Sequence, residues 1–405
     1  MEVRVMHVLR KLYCRTFQMA FRVAIPFLPY RKPELLSDNL AIIEVFKKNH
    51  IRSVLLVTDA NVRKLGLTAE LEKTLEEYHI KCVVYDETVE NPTTHNVYEA
   101  RKLYVKNNCQ ALLGFGGGSA MDCAKAVGAK LARPKKPLSK MKGVLKVLKP
   151  TPPLVAIPTT AGTGSETTLA SVIVDDKTRH KYAMNDFVLI PKYAMLDPNV
   201  TLSLPSHITA TTGMDALTHA VEAYIGNSTT KDTRRDALEA TRLIFDNLPL
   251  AYEDGQNYLA RKNMLYASYL AGCAFTKSYV GYVHAIAHSL GGKYNTPHGL
   301  ANAIILPYVL KGYGDKAYKK LANLAVVIGV ANEKDSYEVA AKAFIFEVEK
   351  LRDKLNIPDK LAGIKEEDIE SMAAYADLEA NPLYPVPKLM DKDELKKFYY
   401  EIMEE

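Results

Sequence analysis

Residues 111–126 read ALLGFGGGSAMDCAKA, and the change of texture along them decides the fold. ALLGF (111–115) is a short, wholly apolar run, the pattern of a parallel strand buried on both faces. Gly116, Gly117, Gly118 and Ser119 interrupt it, and the stretch holding Asp122 and Lys125 reads as a helix. Glycines let backbone approach a ligand closely, and the first amides of a helix favour a phosphate. A tight turn uses the same residues, so the glycines acquire meaning from the strand before and the helix after.

Outward from this unit the alternation continues. Ser53–Asp59, Lys81–Asp86, Leu154–Ile157 and Ala194–Asp197 read as further strands, and 61–78 and 94–107 as helices. Val172–Val174 and Lys181–Met184 read as a small hairpin. Such βαβ alternation predicts a Rossmann-like parallel sheet covered by helices. Beyond Pro205 strand signals fade and helical periods take over: 207–225, 232–248, 256–279, 280–291 and several more to 403. The expected architecture is an α/β dinucleotide-binding domain over 1–204, with 1–32 as an N-terminal extension, and an all-α metal-binding domain over 205–405.

A length of 405 residues suits two domains, and 48% hydrophobic with 25% charged residues is a globular composition. Net charge is +6, without a basic stripe interleaved with aromatics, so nucleic acid is not an expected partner. Cys14, Cys82, Cys109, Cys123 and Cys273 are scattered, with no CxxC, as in reduced cytoplasmic proteins. No apolar run is long enough for a membrane span. The stretch FQMAFRVAIPFL (17–28) is broken by Arg22 and reads as an amphipathic helix packed on the protein or a neighbouring subunit, with membrane-surface contact as the lesser reading. Arg133–Lys149, with six lysines, reads as a solvated loop.

The chemistry-bearing residues fall in GMDALTHAVEAY (213–224) and GYVHAIAHSLGGKYNTPHG (281–299). Asp215 and His219 are spaced i,i+4, as are His284 and His288, and His298 follows a Gly-Gly break. On helices each such pair shares a face. A carboxylate with several imidazoles and no thiolate suits Fe(II) or Zn(II) with a position open for substrate, rather than a closed structural zinc site. In the α/β half, Asp59 ends a strand. A carboxylate there can accept from an adenosine ribose and repel a 2′-phosphate, favouring NAD over NADP; helix N-capping is its plain alternative. IPTTAGTGSE (157–166) offers Thr159, Thr160 and Thr163 in a loop after a strand, either a phosphate-lined pocket or an ordinary polar loop.

Together these stretches resemble the iron-containing (group III) alcohol dehydrogenase family. LLVTD (55–59), NPT (91–93), GFGGGSAMDCAKA (114–126), PTTAGTGSE (158–166), LDP (196–198), TGMDALTHAVEAY (212–224) and VHAIAHSLGGKYNTPHGLANAIILP (283–307) run in family order. The family's usual glycine-containing hairpin is replaced by YRKPELLSD (30–38). The resemblance implies an α/β dinucleotide domain followed by a helical, dehydroquinate synthase-like metal domain, with the active site in the cleft between them. It implies that Asp215, His219, His284 and His298 hold the metal, and that His288 is a catalytic neighbour close to nicotinamide and substrate. It also implies that Asp59, Gly116, Gly117, Gly118, Ser119, Thr159, Thr160, Thr163 and Lys181 contact NAD(P), and that Phe275 lines the substrate pocket; Ala170 is a second apolar candidate there.

The implied activity is hydride transfer between a primary alcohol or diol and NAD(P), with NAD favoured, by a homodimer acting on small molecules. Three alternatives stand beside it. A glycerol dehydrogenase-like polyol oxidoreductase shares the fold but has fewer histidines in its metal set. A metal-dependent hydrolase would need a carboxylate base and would leave the glycine loop unexplained. A non-catalytic scaffold predicts eroded ligands, and none is eroded.

Overall fold

The computed structural model describes residues 2–404. Nine strands occur among them: β1 (Glu34–Leu36), β2 (Ser53–Val57), β3 (Lys81–Tyr85), β4 (Ala111–Gly116), β5 (Gly143–Val144), β6 (Leu154–Pro158), β7 (Ala170–Val174), β8 (Lys181–Asn185) and β9 (Tyr193–Met195). Six form a parallel sheet in the order β1-β9-β6-β4-β2-β3. The other three form a small sheet in which β7 runs antiparallel to β8, the expected hairpin.

The apolar runs form strands because both faces of the large sheet are covered. Side chains alternate along a strand, so each run feeds two cores. Leu55, Val57 and Leu112 pack with Val97 and Tyr104 of the helix Thr94–Lys106 and Val127 of Gly118–Ala132. Val54, Leu56, Leu113 and Phe115 pack with Phe46 of Asn39–Lys48 and Leu71 and Leu75 of Ala69–Glu77. Each such burial contributes about 1.5–3 kcal/mol relative to exposure.

The structure departs from expectation in places with local causes. The helix read over 61–78 is two, Ala60–Lys64 and Ala69–Glu77, separated where Gly66 adopts φ +70°. The last strand stops at Met195 because Asp197 instead accepts from Asn199 N at 2.9 Å, starting the turn Pro198–Thr201. The lysine-rich segment is anchored rather than merely solvated: Leu138, Met141 and Val147 are buried, and Asp186 Oδ2 accepts from the amides of Val147 and Leu148, both at 2.9 Å.

Two compact units result, Pro29–Leu204 and Met1–Leu28 with Pro205–Glu405. The chain passes between these units after Leu28 and again after Leu204. The first 28 residues, expected as an extension of the α/β half, belong instead to the helical unit. Gln18 donates to the carbonyls of Pro382 and Tyr384, and Arg15 to those of Val386 and Pro387, which ties them there.

The helical unit is built around Ser206–Ile225, buried almost throughout from Gly213 onward. Two glycines permit its close packing. A Cβ on Gly213 would lie 2.3 Å from Leu248 Cδ1, and one on Gly299 would lie 2.5 Å from Thr211 O. The second contact seats the start of His298–Tyr313 against the helix that carries Asp215 and His219. No helix among the described residues is long and apolar enough to cross a membrane.

Candidate functional site

Asp215 and His219 lie on Ser206–Ile225, His284 on Tyr282–Tyr294, and His298 opens His298–Tyr313. One ligand atom from each of the four falls within 4.8 Å of all the others. Asp215 Oδ1 is 3.9 Å from His284 Nε2 and 3.5 Å from His298 Nε2. The Asn302 amide, one turn after His298, donates to Asp215 Oδ1 at 2.7 Å and lies 3.3 and 3.1 Å from those two ring nitrogens. The lone pairs of this set therefore converge on one point. Ligand bonds of about 2.0–2.2 Å in tetrahedral array put donor atoms about 3.4 Å apart. The donor set fits a small divalent cation in spacing and, being oxygen and imidazole without sulfur, in chemistry.

The surroundings prepare the ligands. His284 Nδ1 lies 2.6 Å from Glu222 Oε2, and Glu222 also accepts from the amides of Gly281 and Val283, each at 2.8 Å. Burial, then the neighbouring histidines, hold His284 well below the usual imidazole range, so it is neutral. With Nδ1–H directed at Glu222, its Nε2 lone pair faces Asp215 and His298. Burial pushes Glu222 up to about 7, against the backbone donors that favour its charged form. His219 is held flat between Phe275, at 4.1 Å, and His284, at 4.5 Å between ring centroids. The His298 side chain is 40% exposed where those of Asp215 and His284 are 3% exposed, which leaves the set open on one side.

His288 stands on that open side, its ring stacked on His298 at 5.2 Å. Its Nδ1 lies 2.6 Å from Glu379 Oε1, which also accepts from Tyr384 Oη at 2.7 Å. Burial raises the Glu379 carboxyl, but His288 and the hydrogen bonds more than offset this and hold it below its ordinary range.

In the α/β unit the nucleotide candidates gather at the carboxyl ends of β2, β4 and β6. Gly116 has φ +149°, and a Cβ there would meet Ala120 Cβ at 2.8 Å. Gly117 caps Gly118–Ala132, and a Cβ on Gly118 would lie 3.3 Å from Thr163. Thr159 N donates to Gly116 O at 3.0 Å, and Thr160 lies beside Gly117. Asp59 does cap a helix, its Oδ1 accepting from Asn61 N and Val62 N, while its Oδ2 is turned toward Gly116. Ser119 accepts from Asn91 N at 3.3 Å, and Lys181 donates to the Asn91 side chain, so Asn91 links the two. Ala170 starts β7 in this unit, its carbonyl accepting from Lys125 Nζ at 2.8 Å, whereas Phe275 belongs to the metal cluster.

Sequence reasoning passed over Glu222, Glu379, Asn302 and Asn91. Glu222 and Asn302 had a local signal: they follow Asp215 by seven and His298 by four residues, which keeps each on its ligand's helix face. Glu379 is 91 residues from His288 and has none. Because Glu222 orients the candidate ligand His284, Glu222→Gln is expected to lower metal affinity about 10–100-fold. Competition with a chromogenic chelator measures this, and unchanged affinity would remove Glu222 from that role.

Family models described as iron-containing alcohol dehydrogenase and Fe-containing alcohol dehydrogenase family, C-terminal, match residues 38–198 and 209–403. Alcohol dehydrogenase 4 of Saccharomyces cerevisiae is 38% identical over 337 residues, covering 82% of this chain and 86% of that protein. The crystal structure of a 1,3-propanediol oxidoreductase superposes with TM-score 0.87 at 34% identity, covering 92% of this chain and 98% of that one. Sulfoacetaldehyde reductase from Bifidobacterium kashiwanohense, solved in complex with NAD+, gives TM-score 0.81 at 27% identity over 92% and 98% of the two chains.

Proposed function

Because the chain belongs to the iron-containing alcohol dehydrogenase family, we propose that it interconverts a short primary alcohol or diol and its aldehyde, with NAD preferred to NADP and Fe(II) as its metal. Metal-dependent alcohol dehydrogenase activity is the family's chemistry, and the similarity to a 1,3-propanediol oxidoreductase supports a diol among the substrates. The observation that carries the reading is the convergence of Asp215, His219, His284 and His298, with His288 beside them on the open side.

Those four residues would hold the cation, which when bound supplies Lewis-acid polarisation of the substrate oxygen. The chain's own groups do the rest. Glu222 fixes the His284 tautomer. Glu379 holds His288 by Nδ1, and His288 would take up or return the alcohol proton. Phe275, flat against His219, supplies an apolar wall. Gly116 to Ser119, Thr159, Thr160, Thr163 and Lys181 would orient the dinucleotide, with the first amides of Gly118–Ala132 toward its phosphates. The Asp59 carboxylate beside Gly116 would disfavour a 2′-phosphate. Asp59→Gly is accordingly expected to raise the NADPH/NADH ratio of kcat/KM about tenfold, and an unchanged ratio would remove Asp59 from the ribose site.

The glycerol dehydrogenase-like reading is not favoured by relatives that are alcohol and diol enzymes. The hydrolase reading leaves the Gly116–Ser119 loop unexplained, and Glu222 is committed to His284 and two amides. We read the enzyme as a cytoplasmic homodimer, which light scattering tests. Metal analysis followed by NADH and NADPH absorbance across alcohols, diols and aldehydes tests the activity. Bound iron and NADH formation with a primary alcohol or diol are expected; zinc alone, or no metal-dependent turnover with any of them, would overturn the proposal.

A further inference from the structure

The helix Glu2–Ala24 is turned the wrong way for the surface of an isolated globule. From residue 9 on, Arg10, Arg15 and Gln18 reach the protein, beside the buried Cys14. Arg10 grips Asp377 with two contacts of 2.8 Å, and Gln18 and Arg15 donate to the backbone of 382–387. Its opposite face, at helical spacing, is Leu9, Leu12, Tyr13, Met19 and Val23, all exposed, and Phe27 just beyond is 85% exposed. Thr16 is the one polar side chain within that stripe. Directed hydrogen bonds hold the helix in this orientation, so the outward apolar face is built in. A contiguous exposed apolar stripe of this kind marks an interaction surface.

Charge identifies the occupant. Between Val3 and Pro29 the chain has five basic residues and no acidic one. Asp377 and Glu394 neutralise Arg10 and Lys11. Arg15 rests on carbonyls and keeps its charge. Arg22 is exposed and lies near Lys320. A second copy docking by the same face would offer no acidic residue between Val3 and Pro29 to meet these cations. An anionic lipid surface meets both features at once, because apolar side chains enter the acyl boundary while cations meet headgroups. We propose that the outward face of Glu2–Ala24, with Phe27, docks this enzyme on anionic membrane surfaces, lying in the interface without crossing it.

The test is co-flotation of the full chain with phosphatidylcholine vesicles, with and without phosphatidylglycerol, at low salt. Wild type is expected to float with the phosphatidylglycerol vesicles. Partitioning should fall about tenfold or more on pure phosphatidylcholine and for the triple variant Leu12→Ser, Met19→Ser, Val23→Ser. Turnover in vesicle-free solution should be unchanged. Arg22→Glu, a single exposed change, should weaken flotation severalfold and guards against misfolding of the triple variant. Failure of wild type to float, or equal flotation by the variants, would overturn the proposal. So would a wild type that does not float but is a larger assembly than the triple variant by light scattering, because the face would then join copies of the chain.

Discussion

His219→Ala should lower kcat/KM by about 1,000-fold or more, with bound metal lost and NADH binding retained. The size follows from what the ring does. It is one of four candidate ligands whose atoms lie within 4.8 Å, and it is clamped between Phe275 and His284 at 4.1 and 4.5 Å. Alanine removes an imidazole donor and opens a gap beside the substrate wall. The polarising charge is thus lost where negative charge develops on the substrate oxygen, a barrier increase of about 4 kcal/mol. NADH fluorescence should be unaffected, since the nucleotide candidates lie in the α/β unit. Metal analysis and steady-state rates check the result together; surviving turnover with metal still bound would remove His219 from the ligand set.

Lys125→Met should cost about 3–5 kcal/mol of folding stability at neutral pH. Lys125 is 1% exposed, and its Nζ donates to Thr168 Oγ1 at 2.7 Å, Ala170 O at 2.8 Å, Thr168 O at 3.0 Å and Ser165 Oγ at 3.1 Å. It is also the cation facing the buried carboxyls of Asp122 and Glu166. Methionine keeps the stem's packing but leaves those acceptors and charges uncompensated, and it loosens the loop carrying Thr159 to Thr163. Burial pushes Glu166 from 4.5 up to about 7. The folded state therefore holds this proton more tightly, so the group's stabilising contribution is full below 4.5 and is lost as pH rises through about 7. Burial likewise holds Lys125 down at about 8, so above that the wild-type amine is also neutral and offers less compensation. The penalty should accordingly peak between about 7 and about 8 and shrink toward acid. Denaturant unfolding across this range measures it; a loss below about 1 kcal/mol at neutral pH would mean the lysine is not compensating those groups.

The sheet was legible because β2, β4 and β6 are apolar on both faces, a signature that depends only on local composition. β1 was not, since three residues, two of them exposed, carry no period. Spacing alone paired His284 with His288 as equals. In the fold His284 is buried against Glu222 and faces Asp215, whereas His288 is 45% exposed and bound to Glu379. That difference comes from partners 62 and 91 residues away in sequence, beyond any helical repeat. Asp59 shows the converse: capping and ligand contact looked like competing roles, yet one oxygen caps while the other turns to Gly116. The N-terminal segment reads as an amphipathic helix packed on the protein or a neighbouring subunit, but the contacts of Arg10 and Gln18 that hold it are ones no hydrophobic pattern could indicate.

Alcohol oxidation should depend on an ion held by the Asp215, His219, His284 and His298 set. The most direct test of this dependence is to strip the protein with a chelator, return Fe(II) or Zn(II) in steps, and follow NADH absorbance with a primary alcohol or diol. Turnover should be absent at the start and rise in proportion to added ion until one site per chain is filled. Full turnover by the stripped protein, or a filled site without NADH formation, would contradict it.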